Sequence, residues 1–400
     1  MTAQLTAQST DRPTDQGAAR RPAPVREGDF RAQVRGFLAS PEVREEIRRF
    51  GELPPGREPG NLDVYRRLGE RGWLAVNWPV EYGGLGLRAV DAATVAEELG
   101  LAGVPDVAHV LSVDIVGLFL LMAGTDEQKA RHLPPLARGE YLATVLYSEP
   151  GVGSDLGSLR TTAEREGDRW RITGRKIYSQ KSQFASHALC AARTADGTGS
   201  GITLFMVDLT APGVRISPIW NATEERFDDV TLDVLVDDGD RVGPLHAGFA
   251  VLNTCLALER TGIDYQAKVR RWFDAVRDTA ERLGLLRDEA LRQRLVALDT
   301  EILAGRLLAY QAVDAVDAGA VDPVVSARSK WFNTELARSV VELALDVAGL
   351  AGTATRWDGE PGWRETVEGI YRESPNLRLS AGTSEIMLKV VATLGLGLEG

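Results

Sequence analysis

The chain has 400 residues, 44% hydrophobic and 26% charged, with a formal charge of −11 at neutral pH. Such a composition is that of an ordinary globular protein large enough for two or three domains, and its acidic balance speaks against a nucleic-acid or anionic-membrane partner. Only two cysteines (Cys190 and Cys255, both in apolar runs) and four scattered histidines occur, which fits a reducing, cytoplasmic setting and leaves no disulfide scaffold or metal-ligand cluster to expect. No run of 18 apolar residues is present, and the polar N-terminus lacks a signal-peptide core.

In chain order, residues 1–25 are polar and Pro-rich and read as a disordered tail. Residues 26–140 carry helical patterns in "DFRAQVRGFLAS", "NLDVYRRLGERG", "DAATVAEELGLAG", "DVAHVLSVDIVGLFLLMAG" and "DEQKARHLPPLARG". The fourth is apolar almost all round and predicts a buried helix. Over residues 141–245 the period changes. "YLATVLYSE", "SLRTTAERE", "DRWRITGRKIYS", "HALCAART", "ITLFMVDL", "GVRISPIW" and "VTLDVLV" are short, β-rich or alternating runs that predict a β domain. Residues 246–400 return to helix. Three long segments, the first running unbroken from Phe249 to Gly284, and a fourth after Thr383 predict an up-down bundle.

Three local features carry chemistry. The loop "YSEPGVGSDLGS", Tyr147 to Ser158, has three glycines after a strand. Its GxGxxxG spacing and the strand that follows reject a dinucleotide fingerprint, and no Lys-Ser/Thr pair makes it a Walker loop. It remains either a turn presenting N–H groups and the Ser154 hydroxyl to a phosphate, or an ordinary strand connection. The stretch "LSAGTSEIM" predicts a helix start capped by Thr383 or Ser384. Phe249, Leu252, Leu256, Glu259 and Ile263 are spaced 3, 4, 3 and 4, so Glu259 interrupts an apolar stripe. A half-buried carboxylate there, with no cation at helical spacing, is expected to have a raised pKa suited to a general base. The alternative is a Glu that reaches solvent or a distant Arg, with Arg260 in an ordinary helical pair with Asp264.

Four stretches in order, "GWLAVNWPVEYGGLGL", "YSEPGVGSDLGSLRTTA", "WRITGRKIYS" and "AGTSEI", resemble the acyl-CoA dehydrogenase family over nearly everything after the tail. The resemblance implies a multidomain α+β fold: an N-terminal α-helical domain, a central β-barrel-like domain and a C-terminal four-helix bundle. It implies FAD as cofactor. Tyr147 and Ser148 would lie along the flavin's pyrimidine side, and Gly153 and Ser154 would approach the flavin and the thioester or its pantetheine arm. Tyr178 falls where the family has an aromatic against the isoalloxazine; Gln180 replaces the usual Thr or Ser; Thr383 and Glu385 would meet the cofactor from the bundle.

The resemblance is broken at the residue before "GTS". Many members carry the catalytic Glu there, and this chain has Ala381. The isovaleryl-CoA and long-chain subgroup instead uses a Glu at the position of Glu259, followed by an Arg on the substrate side, which Arg260 matches. The family's Arg-x-Phe-Gly and Gln-x-x-Gly-Gly-x-Gly contacts to a neighbour's FAD are replaced by "RDTAERLGLLRDE" and "LDVAGLAGTATRW". In this the chain looks like divergent actinobacterial members acting on steroid side chains or natural-product thioesters, some of them mixed tetramers. The implied activity is desaturation of an acyl-CoA or acyl-carrier-protein thioester at Cα–Cβ, with electrons passed to an electron-transfer flavoprotein or similar acceptor. The implied assembly is a homodimer, a homotetramer or a mixed tetramer. A flavin monooxygenase or oxidase on the same fold and a non-catalytic subunit are the competing readings.

Overall fold

A computed structural model describes residues 27–51, 63–105, 107–195, 201–223, 225–353 and 367–398; the expected tail, residues 1–25, lies outside them. The N-terminal part holds helices α1 (Glu27–Leu38), α2 (Pro41–Gly51), α3 (Asp63–Gly69) and α4 (Ala89–Ala102). After them come short α5 (Val107–His109), a π-helical stretch over Val110–Gly117, α6 (Leu118–Ala123) and α7 (Asp126–Ala137). The helix α2 is not among the predicted ones. Its signal, Ser40 before Pro41 and Glu42, is a start signal of the usual kind. In α7 the start is a capping box: Thr125 Oγ1 accepts from Gln128 N at 3.2 Å, and Gln128 Oε1 accepts from Thr125 N at 3.0 Å.

All seven predicted β runs are strands: β1 (Leu142–Leu146), β2 (Thr162–Glu166), β3 (Arg169–Gln180), β4 (Ala185–Arg193), β5 (Ile202–Asp208), β6 (Val214–Trp220) and β7 (Arg226–Asp237), with a short β8 (Arg241–Val242) after them. They form one sheet in the order β6-β7-β3-β2-β4-β5-β8, and β1 pairs parallel with β4. The fully buried runs of β4 and β5 hold its inner face against the helical layer, where Val116, Phe119 and Leu120 pack into the same core.

The C-terminal part corrects the sequence at two points. The segment from Phe249 onward is two helices, α8 (Gly248–Glu259) and α9 (Ile263–Arg282), because Arg260 leaves helical geometry and Gly262 sits at φ 82. Ile263 therefore does not extend the Glu259 stripe, and the break removes the helical geometry for an Arg260–Asp264 pair. The "YRESPNLR" stretch, which carried no helix prediction, lies in α12 (Val367–Leu379). With α10 (Glu289–Asp317), α11 (Pro323–Ala348) and α13 (Ser384–Val390) it completes the bundle. Asp288 and Asp322 cap α10 and α11, the second with Pro323 in the first turn.

Bundle and N-terminal helices are joined at α4. Gly100 lets α4 approach α9 so closely that a Cβ there would stand 2.7 Å from the Ala267 Cβ. Beside that crossing, Arg31 on α1 and Arg306 and Tyr310 on α10 all hydrogen bond to the buried Glu97. Burial alone would raise the Glu97 carboxyl; those donors hold it below the usual carboxylate range.

Candidate active site

The loop after β1 is built around a buried ion pair. Glu149, 5% exposed, accepts from the backbone N–H of Arg160 at 2.6 Å and of Thr161 at 2.9 Å. Fully buried Lys176 on β3 donates to the same carboxylate at 2.8 Å and to the Tyr147 carbonyl at 3.1 Å. Burial opposes the charge on Glu149, but Lys176 and the Thr161 hydrogen bonds hold its carboxyl below the ordinary value. Glu149 and Val152 exchange backbone hydrogen bonds at 2.9 Å each across Gly151, at φ 84. The loop is thus clamped at its base. Its tip is open: a Cβ added at Gly151 or Gly153 meets nothing within 4 Å, and Ser154 is exposed.

Strand β3 meets this loop where its own pairing fails. The ladder with β7 shifts register between Lys176 and Ser179, and the Ile177 N–H donates to the Ser148 carbonyl at 2.9 Å instead. This bulge puts Tyr178 at φ 61, a strained setting for a bulky residue, and leaves it 61% exposed with its ring edge-on to Phe227. The aromatic is aimed outward and not packed into the sheet face. Gln180 is engaged otherwise: its side-chain amide donates to Glu225 at 3.0 Å, and its backbone carbonyl accepts from the Thr144 hydroxyl at 2.6 Å.

A second group of residues gathers where α8 ends. Ala381 at φ 50 and Gly382 at φ 97 make a left-handed turn between α12 and α13. Thr383, not Ser384, is the N-cap, accepting from the Ile386 N–H at 3.3 Å, while Ser384 donates to Glu335 at 2.6 Å. Exposed Glu385 sits in the first turn of α13, its carboxyl lowered by bonds to its own N–H and to Thr383. The guanidinium of Arg260 lies on this turn: a Cβ on Gly382 would stand 3.6 Å from Arg260 Nη2 and 2.6 Å from Met387 Cε. Arg260 Nε is buried without a hydrogen-bond partner among the described residues. Glu259 closes α8 just before it; its side chain lies outside the described residues.

The structure therefore brings Tyr147, Ser148, Gly153, Ser154 and Tyr178 to one loop edge, and Arg260, Ala381, Gly382, Thr383 and Glu385 to one turn. The β6–β7 connection ties the sheet to α12: Glu225 holds Gln180 on β3, and the Ala222 carbonyl accepts from Arg372 on α12 at 2.7 Å. An unpacked aromatic, a glycine loop edge open to its surroundings and an unsatisfied guanidinium N–H are a donor and surface set that fits a flat ring system and an anionic or carbonyl-bearing ligand. FAD with an acyl thioester is such a pair. Among the described residues no cluster of three His, Cys, Asp or Glu could hold a metal ion, and no helix is long and apolar enough to cross a membrane. Sequence reasoning missed Glu149 and Lys176. Two opposite charges inside runs otherwise reading as buried strand and loop were the available signal.

Three family models match the chain: the acyl-CoA dehydrogenase N-terminal domain over residues 26–140, the middle domain over 144–234 and the C-terminal domain over 246–395. The acyl-CoA dehydrogenase FadE26 of Mycobacterium tuberculosis is 31% identical over 92% of this chain and 96% of its own length. Among solved structures, the Tcur3481-Tcur3483 steroid ACAD superimposes with a TM-score of 0.83 at 29% identity, over 95% of this chain and 99% of the other. The ChsE4-ChsE5 complex from Mycobacterium tuberculosis does so with a TM-score of 0.80 at 28% identity, over 95% and 100%.

Proposed function

Since the chain belongs to the acyl-CoA dehydrogenase family of FAD flavoproteins, we propose that it desaturates an acyl thioester at Cα–Cβ, with Glu259 as the base. The observation that carries this reading is the meeting of the α8 end with the Ala381–Gly382 turn, seen in the contact of Arg260 with Gly382. In one branch of the family the carboxylate stands in the turn, in another at the α8 end. Here the turn offers Ala381, so the α8 end must supply the base. Glu259 takes the α-proton, and Arg260, whose Nε has no partner among the described residues, holds the acceptor atoms of the thioester. FAD, when bound, supplies the acceptor for the β-hydride, so one proton and one hydride leave and one double bond forms. Tyr147, Ser148, Gly153, Ser154, Tyr178 and Thr383 would hold the cofactor, with Ser154 also reaching the thioester arm. Gln180 acts at one remove, since its amide is bound to Glu225.

The acyl carrier is CoA or a carrier protein, and an electron-transfer flavoprotein or similar acceptor reoxidises the enzyme. Anaerobic mixing with a panel of acyl thioesters tests the activity: one of them should bleach the flavin within seconds. If none does while dithionite bleaches it, the dehydrogenase reading fails. Assembly is a second part of the proposal. Val296, Leu303 and Leu307 form an exposed apolar stripe on α10, and the likeness to one chain of the ChsE4-ChsE5 complex supports a dimer or tetramer, of this chain or with a homologous one. Light scattering at micromolar concentration reads the state, and a monomer contradicts it.

A further inference from the structure

The α11 helix carries a row of buried polar side chains through the bundle core: Ser326, Ser329, Lys330, Asn333 and Thr334, the last four fully buried. Such a row is costly in an apolar core unless its polar atoms are satisfied; of its side chains, only Asn333 Oδ1 is buried without a partner among the described residues. Its members at i, i+3 and i+4 share one face, and three of them, Ser326, Ser329 and Lys330, donate to the segments that close α8 and α12. Ser326 Oγ donates to the Ala257 carbonyl at 2.7 Å and Ser329 Oγ to the Thr261 carbonyl at 2.7 Å. Lys330 Nζ donates to the Leu377 carbonyl at 3.0 Å and to the Gly382 carbonyl at 2.8 Å, with its ammonium 5.6 Å from the Tyr265 ring centroid.

The acceptors are ends. Ala257 and Thr261 bracket Glu259 and Arg260 at the close of α8, and Leu377 and Gly382 bracket Ala381 at the close of α12. Helix C-termini leave carbonyls without intrahelical donors and carry partial negative charge, which a buried ammonium meets twice over. Gly262 and Gly305 fit the row: a Cβ on Gly262 would meet Ser329 Oγ at 2.7 Å, and one on Gly305 would meet Asn333 Oδ1 at 2.3 Å. Asn333 in turn donates to the Gly305 and Ser329 carbonyls at 3.0 Å each, fixing the row to α10.

We propose that Ser329 and Lys330 are positioning residues for the reaction: one face of α11 sets the distance between the Glu259–Arg260 end and the Ala381–Gly382 turn. This rests on the reading above that those segments border the thioester. Neither residue touches the reacting atoms. Their effect is on register, because a donor lost at either carbonyl releases one segment from the other, and a displacement of about 1 Å costs about 10²-fold in rate.

Amide hydrogen exchange on the full chain before FAD is added tests the geometry without reference to activity. Lys330→Met keeps the length of the side chain and removes its donors; Ser329→Ala removes one hydroxyl. Exchange should rise at least tenfold over residues 380–386 in Lys330→Met and over 259–263 in Ser329→Ala, with the β domain unchanged. Flavin reduction by the true substrate should fall about 10- to 100-fold in each, with KM altered less than kcat. Unchanged exchange in both segments overturns the proposal, as does a rate that falls only in proportion to the folded fraction. Should Lys330→Met not fold, Ser329→Ala decides alone. Exchange that rises as expected in a protein that no thioester reduces would sink the dehydrogenase reading and leave the positioning geometry standing.

Discussion

Replacing Lys176 by Met strips the buried Glu149 carboxylate of its cation while leaving it the N–H groups of Arg160 and Thr161. Removing one partner of a buried pair costs about 3–5 kcal/mol. At about 2–4 °C per kcal/mol for a domain of a couple of hundred residues, the melting temperature should fall by roughly 6–20 °C. The cost has a direction in pH. In the native protein Glu149 is held below its ordinary value, so its contribution is present above the unfolded carboxylate pKa and is lost as pH falls through the folded one. Without Lys176 the carboxyl is pushed the other way by burial, so the variant should regain part of its deficit at mildly acid pH. Glu149→Gln added to Lys176→Met removes the uncompensated charge and should recover part of the loss at neutral pH. Thermal unfolding followed by circular dichroism at pH 5 and pH 7.5 reads all three proteins. A fall of less than about 2 °C for Lys176→Met, or a double variant no better than the single one, would refute the view that this pair clamps the loop.

The remaining predictions are smaller. Tyr178→Ala should leave the melting temperature of the flavin-free protein within about 1 °C, since the ring is 61% exposed, while weakening FAD retention about 2- to 12-fold by equilibrium dialysis; unchanged retention removes Tyr178 from the cofactor site. Gly382→Ala, at φ 97 and facing Met387 Cε at 2.6 Å, should cost about 1–3 kcal/mol in thermal unfolding and slow flavin reduction; a neutral outcome contradicts the left-handed turn and its close packing against Met387. Buried His132, pushed down to about 4 chiefly by burial and also by His187 and Arg131, makes the unfolded chain bind more protons between about pH 6.5 and 4. Stability should therefore fall as pH drops through that window, by about 3 kcal/mol for this residue, and His132→Gln should flatten the profile.

The sheet was legible because its runs alternate or are wholly apolar, a period that tertiary packing reinforces. The break at Arg260 was not. Helical spacing continues across it, and the only local cue is Gly262, which within a long periodic segment reads as a tolerated glycine. The same limit left α12 without a helix prediction, although the helix packs Ile370 and Leu377 into the bundle core. Residue types facing a ligand could be named from motifs; what holds them could not. Gln180 was assigned to the cofactor by position, and its side chain is bonded to Glu225. Lys176, Glu149 and the α11 row are long-range partners that no spacing rule connects. Ala381 was flagged for the carboxylate it lacks, and its φ of 50 adds that Glu there would face no greater backbone strain than Ala does.

Rapid anaerobic mixing of Glu259→Gln with the thioester that reduces the native flavin tests the central claim most directly. The substitution keeps size and most hydrogen bonding but removes the proton acceptor, so flavin reduction should slow by about 10²–10⁴-fold, the usual worth of a positioned base, with FAD content and melting temperature unchanged. Reduction at the native rate would show that the α-proton goes elsewhere, and Glu259 would lose its role.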